Sequence, residues 1–82
     1  MALASSRPAE ALTEFEHALA IARSIVSPLE EARALEGIGR CQLKEGQTGY
    51  GVASLRKALA IYARIGSANG KRVETALREY YI

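Results

Sequence analysis

Cysteine is nearly absent from this sequence, since Cys41 is the only thiol in 82 residues. One cysteine excludes an intramolecular disulfide framework and a zinc site built from several thiolates, and it is typical of a protein in a reducing cytosol. The first residues lack a basic segment followed by an apolar run, and no stretch approaches the roughly 20 apolar residues that span a bilayer. We therefore expect a cytoplasmic protein with no secretory signal and no membrane partner.

Tryptophan is missing, and valine and threonine are scarce, with three of each against 15 Ala and 9 Leu. This composition favours helices that pack closely through small side chains, and it argues against a β sandwich or barrel. The length allows one small domain with a thin core. We predict an all-α fold.

Aspartate is absent too, so all nine acidic residues are Glu, and the net charge is +2. The charge is uneven: residues 1–40 carry 4 Lys or Arg against 6 Glu, whereas residues 41–82 carry 7 against 3, which gives −2 and +4. This asymmetry is mild for a nucleic-acid-binding protein.

Helix signals recur at even intervals along the chain. Ser27-Pro28-Leu29-Glu30 has the pattern of a capping box with Pro in the first turn, and Lys44-Glu45-Gly46 is typical of a helix end. Thr48 is the expected cap of the next helix and Gly66 its expected end. The signals predict four antiparallel helices near 8–25, 28–45, 48–65 and 69–81, preceded by a disordered segment, 1–7.

The first and third helices repeat each other at a distance of 40 residues. Residues 17–27 and 57–67 align without gaps and are identical at six positions, which are Ala, Leu, Ala, Ile, Ile and Ser. The apolar steps also agree, with Ala11, Phe15, Ala18, Ala22 and Ile25 in the first helix and Gly51, Leu55, Ala58, Tyr62 and Ile65 in the third. A repeated helix pair is typical of a helical solenoid.

Residues 32–65 resemble a tetratricopeptide repeat (TPR). Leu35, Ile38 and Gly39 match the first helix of that family and Gly46 its turn, while the second helix is matched by Gly51, Leu55, Ala58 and Leu59. Gln42 and Thr48 replace the family's usual aromatics, and the 40-residue period is similar to long-helix variants of the repeat. The sequence segments 34–40 and 58–66 also resemble the C-terminal repeats of actinobacterial transcriptional regulators.

The resemblance implies a right-handed solenoid slice of four antiparallel helices. Residues 8–27 would be the second helix of a partial repeat, 28–67 one full helix pair, and 68–82 the terminal helix of a further partial repeat or a cap. About three repeats are normally needed for independent stability. We therefore expect either a piece of a larger regulatory or signalling protein or a chain whose open ends pair with another copy.

No residue set points to catalysis, a metal or a cofactor. His17 and Cys41 lie on different predicted helices, and we expect His17 to be partly exposed and Cys41 to fill the core. A reactive thiol at Cys41 is the alternative, because Arg40 and Lys44 place positive charge nearby. Gly37 and Gly39 have no preceding strand and no following Gly-Lys pair, so a phosphate loop is not indicated. We expect a non-enzymatic protein without cofactors.

The family resemblance implies a concave surface lined by the first helix of each repeat. The residues that would line it here are Arg33, Glu36, Arg40, Lys44, Arg72, Thr75 and Glu79. These residues either are solvent-exposed surface residues without a binding role or line a groove for an acidic or carboxylate-ended peptide, to which Arg offers bidentate contacts. We expect a protein or peptide partner.

The alternative function is a small basic helical nucleic-acid-binding domain. It would use Arg56, Lys57, Arg64, Lys71, Arg72 and Arg78, with Tyr80 and Tyr81 as aromatic platforms. No helix concentrates these charges and no helix-turn-helix pattern is present, so nucleic acid is the less favoured partner.

Self-association through the open ends is a further expectation. The contact candidates for a homodimer are Leu12, Phe15, Leu19, Val73, Leu77 and Tyr80, which form apolar stripes on the first and last predicted helices. Native solenoids cover such ends with polar capping helices.

Overall fold

A computed structural model of the protein describes residues 8–80, and its regular structure there is entirely helical. The elements are α1 (Pro8–Ser24), α2 (Pro28–Lys44), α3 (Thr48–Arg64) and α4 (Asn69–Arg78). The predicted all-α class and the four helices are confirmed, with α4 ending three residues earlier than expected. The predicted disordered segment, 1–7, lies outside the described residues.

The first three helices end in the same way, at intervals of 20 residues. Val26, Gly46 and Gly66 each have positive φ, at 55°, 81° and 70°. The next residue then donates its N–H to a carbonyl five residues earlier, as from Ser27 to Ala22 at 2.9 Å and from Ser67 to Tyr62 at 2.8 Å. This is the Schellman arrangement, which satisfies the last helix carbonyls. Three residues link α1 to α2 and α2 to α3, and four residues link α3 to α4.

The helix starts agree with the sequence only in part. At α2 the hydroxyl of Ser27 accepts from the N–H of Glu30 at 3.4 Å, while the Glu30 carboxylate accepts from Arg33 at 3.1 Å. The predicted cap at Thr48 is wrong: Thr48 is the first residue of α3, and Gln47 occupies the cap position without a side-chain bond. The short link after Gly46 fixes this position.

Successive helices pack side by side and run antiparallel. The end of α2 meets the start of α3, since a Cβ on Gly39 would lie 2.9 Å from the carbonyl oxygen of Gly51, and a Cβ on Gly51 would lie 2.7 Å from the Leu43 side chain. The middle of α2 contacts the end of α3 through the side chains of Glu36 and Tyr62. The two helices therefore approach closely at Gly39 and Gly51.

The core lies between α2, α3 and α4. Its central cluster of buried residues is Ala32, Leu35, Leu55, Ala58, Ile61, Tyr62, Val73 and Leu77. Within α1 only Ala22 is buried. Three residues of the repeated apolar pattern of the first helix, Phe15, Ala18 and Ile25, are exposed.

The apolar stripe that the sequence predicted at the surface of the last helix is mostly buried in the structure. Val73 is 0% and Leu77 4% exposed, so neither offers a contact to another chain. The physical reason is that α4 folds back on α3, with Gly70 close to Leu59 and Tyr62. Tyr80 stays exposed just after the helix. The expectation that Val73 and Leu77 mediate self-association is therefore wrong for this fold.

Val26 provides a test of the shared helix-end geometry. It is a β-branched residue in the left-handed region, where a Cβ costs about 1–2 kcal/mol, and at 80% exposure it has little packing to lose. We predict that Val26→Gly raises the free energy of unfolding by about 0.5–1 kcal/mol, after subtracting the about 0.4–1 kcal/mol that Gly adds to the unfolded chain entropy.

Urea denaturation measures this change, and Gly46→Val is the matched control because it places the same side chain in the same backbone conformation. The control should lower stability. A Val26→Gly protein that is less stable than the parent would show that residue 26 does not hold the left-handed conformation.

Candidate functional site

The exposed side of α2 carries three cations. Arg33, Arg40 and Lys44 follow one another at steps of seven and four residues, which places them along one face of the helix. The opposite face, with Leu35 and Gly39, is buried toward α3. We call Arg33, Arg40 and Lys44 the α2 stripe. Arg33 and Lys44 are exposed, and the Arg40 side chain is 43% exposed.

An open groove of about 320 Å³ separates the α2 stripe from α1. Its walls are mostly apolar, and two stripe residues border it; the lining residues are Pro8, Ala11, Phe15, Gly37, Arg40, Cys41 and Lys44. The Phe15 ring lies where a side chain at position 37 would be, since a Cβ on Gly37 would come within 2.5 Å of it. The groove thus depends on the absence of a side chain at Gly37. We call it the α1–α2 groove.

Cys41 is part of the groove wall but is 7% exposed. Burial raises the pKa of its thiol, and Glu45 raises it further, against an opposing effect of Lys44. The thiol is therefore protonated at neutral pH and a poor nucleophile. The expected role of Cys41 as a core residue is confirmed.

The carboxylate of Glu36 joins three helices beneath the α2 stripe. It is 6% exposed and accepts five hydrogen bonds. Arg40 donates from Nε and Nη2 at 3.1 and 3.0 Å, and the Tyr62 hydroxyl of α3 donates at 3.0 Å. Arg72 of α4 donates from Nε at 2.8 Å and Nη2 at 2.7 Å, one to each oxygen, in a bidentate pair. We call these four residues the Glu36 cluster.

The pKa values in this cluster follow from its geometry. Burial alone would raise the pKa of Glu36, but the hydrogen bonds from Arg72, Arg40 and Tyr62 together lower it from 4.5 to about 2. Burial, followed by the bond to Glu36, raises the pKa of Tyr62 to about 12, and Glu36 also raises the pKa of Arg72. At neutral pH the Glu36 carboxylate is therefore ionised, and Tyr62 and Arg72 keep the protons that they donate to it.

The structure changes the roles of two predicted surface residues. Glu36 was expected to line a binding surface, but it is buried and fully engaged, because its carboxylate faces Tyr62 and Arg72. Arg72 lies at the edge of the same cluster and also donates to Asn69 at 3.2 Å. The i,i+4 spacing of Glu36 and Arg40 was a readable signal of pairing. The partners on α3 and α4 had no local signal.

The other predicted residues are spread over the surface. Thr75 and Glu79 are exposed on or after α4, and the Thr75 hydroxyl donates to the Lys71 carbonyl at 3.0 Å. Leu12 and Leu19 are half-buried, which leaves Phe15 in the groove as the most exposed of the α1 candidates. These residues do not converge on one site.

The residues considered for other functions are also dispersed. The cations named for nucleic-acid binding on α3 and α4, Arg56, Lys57, Arg64, Lys71 and Arg78, are all exposed, and His17 is exposed on α1. Among residues 8–80 no group of three His, Cys, Asp or Glu side chains is placed to hold a metal ion. No helix in that range has the length and apolar character needed to cross a membrane.

Comparison with known proteins gives no relative: no protein-family model, curated protein or solved structure matches this chain.

The Glu36 cluster generates a pH-dependence prediction. A carboxylate whose pKa is lowered by folding contributes stability that is present above its unfolded value, near pH 4.5, and is lost as the pH falls toward 2. We predict that unfolding free energy falls in this window and that Glu36→Gln removes about 2–3 kcal/mol of this dependence.

Urea denaturation at pH 2.5, 4.5 and 7 measures both proteins, with Glu30→Gln as the control because Glu30 is exposed and pairs only with Arg33 among the contacts described. The control should retain the acid-induced loss. If the parent and Glu36→Gln lose equal stability between pH 4.5 and 2.5, the carboxylate is not engaged as described.

Proposed function

We propose that this chain is a non-enzymatic protein-interaction module that binds an acidic peptide along the α2 stripe and in the α1–α2 groove. The observation that carries the proposal is the position of Arg40 and Lys44 at the rim of an apolar groove. A groove with an apolar floor and a cationic edge fits an extended peptide that presents acidic and apolar side chains together.

The α2 stripe can bind an anion with little loss of side-chain freedom and little loss of existing ion-pair energy. Arg40 is held in place by its two bonds to Glu36, so little side-chain freedom remains to be lost on binding. Arg33 pairs with Glu30 at 3.1 Å, but both side chains are more than half exposed, and such pairs contribute only about 0.2–1 kcal/mol. An acidic ligand can displace Glu30 from Arg33.

The repeat architecture supports the same function. Helix ends at 26, 46 and 66, the 40-residue repeat and the packing of α1 on α2, α2 on α3 and α3 on α4 are the features expected of a right-handed TPR-like solenoid slice. Proteins of this architecture use preformed helix surfaces to hold partners. On this proposal the chain is either a piece of a larger cytoplasmic regulatory or signalling protein or a small protein of that class.

Charge reversal at Lys44 tests the proposed site. The probe is a fluorescein-labelled decapeptide of Glu residues with one central Phe, and the same peptide with Gln for Glu is its neutral control. We predict that Lys44→Glu weakens binding of the acidic peptide roughly three- to tenfold, because an exposed attraction of about 0.2–1 kcal/mol becomes a repulsion of similar size. Fluorescence anisotropy measures the affinity.

Lys57→Glu on α3 is the matched variant, since it makes the same charge change at an exposed position outside the groove. Lys44 is preferred to Arg40 because reversal at Arg40 would also disturb Glu36. Equal losses for Lys44→Glu and Lys57→Glu would mean that the peptide follows net charge alone. Submicromolar, sequence-dependent binding of DNA or RNA at physiological salt would instead favour the nucleic-acid function.

A further inference from the structure

The outer flank of α1 is an apolar stripe that no helix within residues 8–80 covers. Glu14, Ala18, Ile21 and Ile25 follow one another at steps of four, three and four residues, so they lie on one side of the helix and its end. All four are exposed, Ile21 by 60% and Ile25 by 64%. We call these residues the α1 flank. Contiguous exposed apolar residues of this kind mark an interaction surface.

The matching side of α3 shows what covers such a stripe. Forty residues after the α1 flank the chain has Ser54, Ala58, Ile61 and Ile65, so three of the four residues are identical. In α3 the middle of this side is packed, since Ala58 is 0% and Ile61 9% exposed, while Ile65 at its end is 39% exposed. Ser54 donates to the side chain of Gln42 on α2 at 2.8 Å. The repeated stripe is thus the surface by which α3 contacts an antiparallel helix.

Two differences between the stripes define the partner of the α1 flank. Glu14 stands where α3 has Ser54, so the residue facing it should be a cation rather than Gln42. Ala22 stands where α3 has Tyr62, so α1 offers no hydroxyl donor and the partner helix should carry no carboxylate at the position of Glu36. We propose that the α1 flank binds a helix of a partner protein, antiparallel to α1, with an α2-like apolar face and a Lys or Arg near its C-terminal end.

A second copy of this chain fits the α1 flank less well. The α1 helix carries three Glu against one Arg, so two α1 helices facing each other would repel. The α4 helix presents Lys71, Glu74 and Arg78 on its exposed side, while its Val73 and Leu77 are buried on α3. It offers charge, but not the apolar face that covers the matching stripe of α3. Charge complementarity with Glu14 therefore points to a basic helix from another protein.

The internal repeat supplies the probe. It is a peptide with the sequence of residues 27–46, carrying Glu36→Ala and Gln42→Lys, and held helical by a covalent staple between positions 33 and 37, which lie away from the α3-facing side. The staple is needed because an isolated helix of this length is marginal in water. A peptide with Gln42→Glu in place of Gln42→Lys is its matched partner. Binding to the full chain is followed by isothermal titration calorimetry.

We expect the Lys peptide to bind about tenfold more tightly than the Glu peptide. Glu14→Lys in the protein should reverse this preference, and Ile21→Lys should abolish binding of both peptides. Ala20→Lys, at an exposed position of α1 outside the flank, should leave the affinities unchanged. Lys44→Glu should also have no effect, because it alters only the α2 stripe.

Three results would overturn the proposal. No measurable binding of either peptide would show that the flank does not accept a helix. Binding that is insensitive to Ile21→Lys would show that the peptide exchanges with α2 on α3 instead. Dimers of the free protein in sedimentation velocity that are lost in the Ile21→Lys variant would make a second copy the occupant.

Discussion

The arrangement of the last three helices depends on one buried carboxylate. Glu36 is 6% exposed, and a buried ionised carboxylate is strongly destabilising unless its oxygens are hydrogen-bonded and its charge is balanced. Tyr62 and Arg72 meet these requirements from α3 and α4. A slip of α4 by one turn would move Arg72 by about 5.4 Å and leave the carboxylate short of donors. Glu36 therefore fixes the register of α4 as well as contributing to its binding.

The same cluster connects the core with the candidate binding surface. Arg40 bonds to Glu36 on one side and borders the α1–α2 groove on the other. The α2 stripe and the α1 flank consequently differ in character. The stripe is cationic, with Arg40 held by Glu36, whereas the flank is apolar with an acidic end. On the two proposals made above, these surfaces bind partners of opposite charge without overlapping.

The helices could be predicted from the sequence because residue types at their ends, such as proline and glycine, determine where a helix starts or stops. Pro28, Gly46 and Gly66 mark boundaries that the structure places within a residue of the expected positions. Val26 carries the same backbone conformation as the two glycines, but no local signal identifies it. The cap at Gln47 was missed because the preceding helix end, and not a capping side chain, sets where α3 begins.

The candidate site was predicted less completely. The family resemblance named Arg33, Arg40 and Lys44 as surface residues, and the structure places them along one accessible face of α2. Phe15 was expected at a self-association surface, yet it lines the groove. Tyr62 and Arg72 lie 26 and 36 positions after Glu36 in the chain, and only tertiary packing brings the three residues together. Helix periodicity carries no information about such contacts.

A double-mutant cycle between Glu36 and Arg72 tests the central claim most directly. Unfolding free energies at pH 7 are measured in urea for the parent, Glu36→Gln, Arg72→Gln and the double variant. The account predicts a coupling energy above about 1 kcal/mol, because charged hydrogen bonds to a buried carboxylate contribute about 1.5–3 kcal/mol, whereas exposed ion pairs contribute about 0.2–1 kcal/mol. Additivity within about 0.5 kcal/mol would contradict it, since the two residues would then act independently.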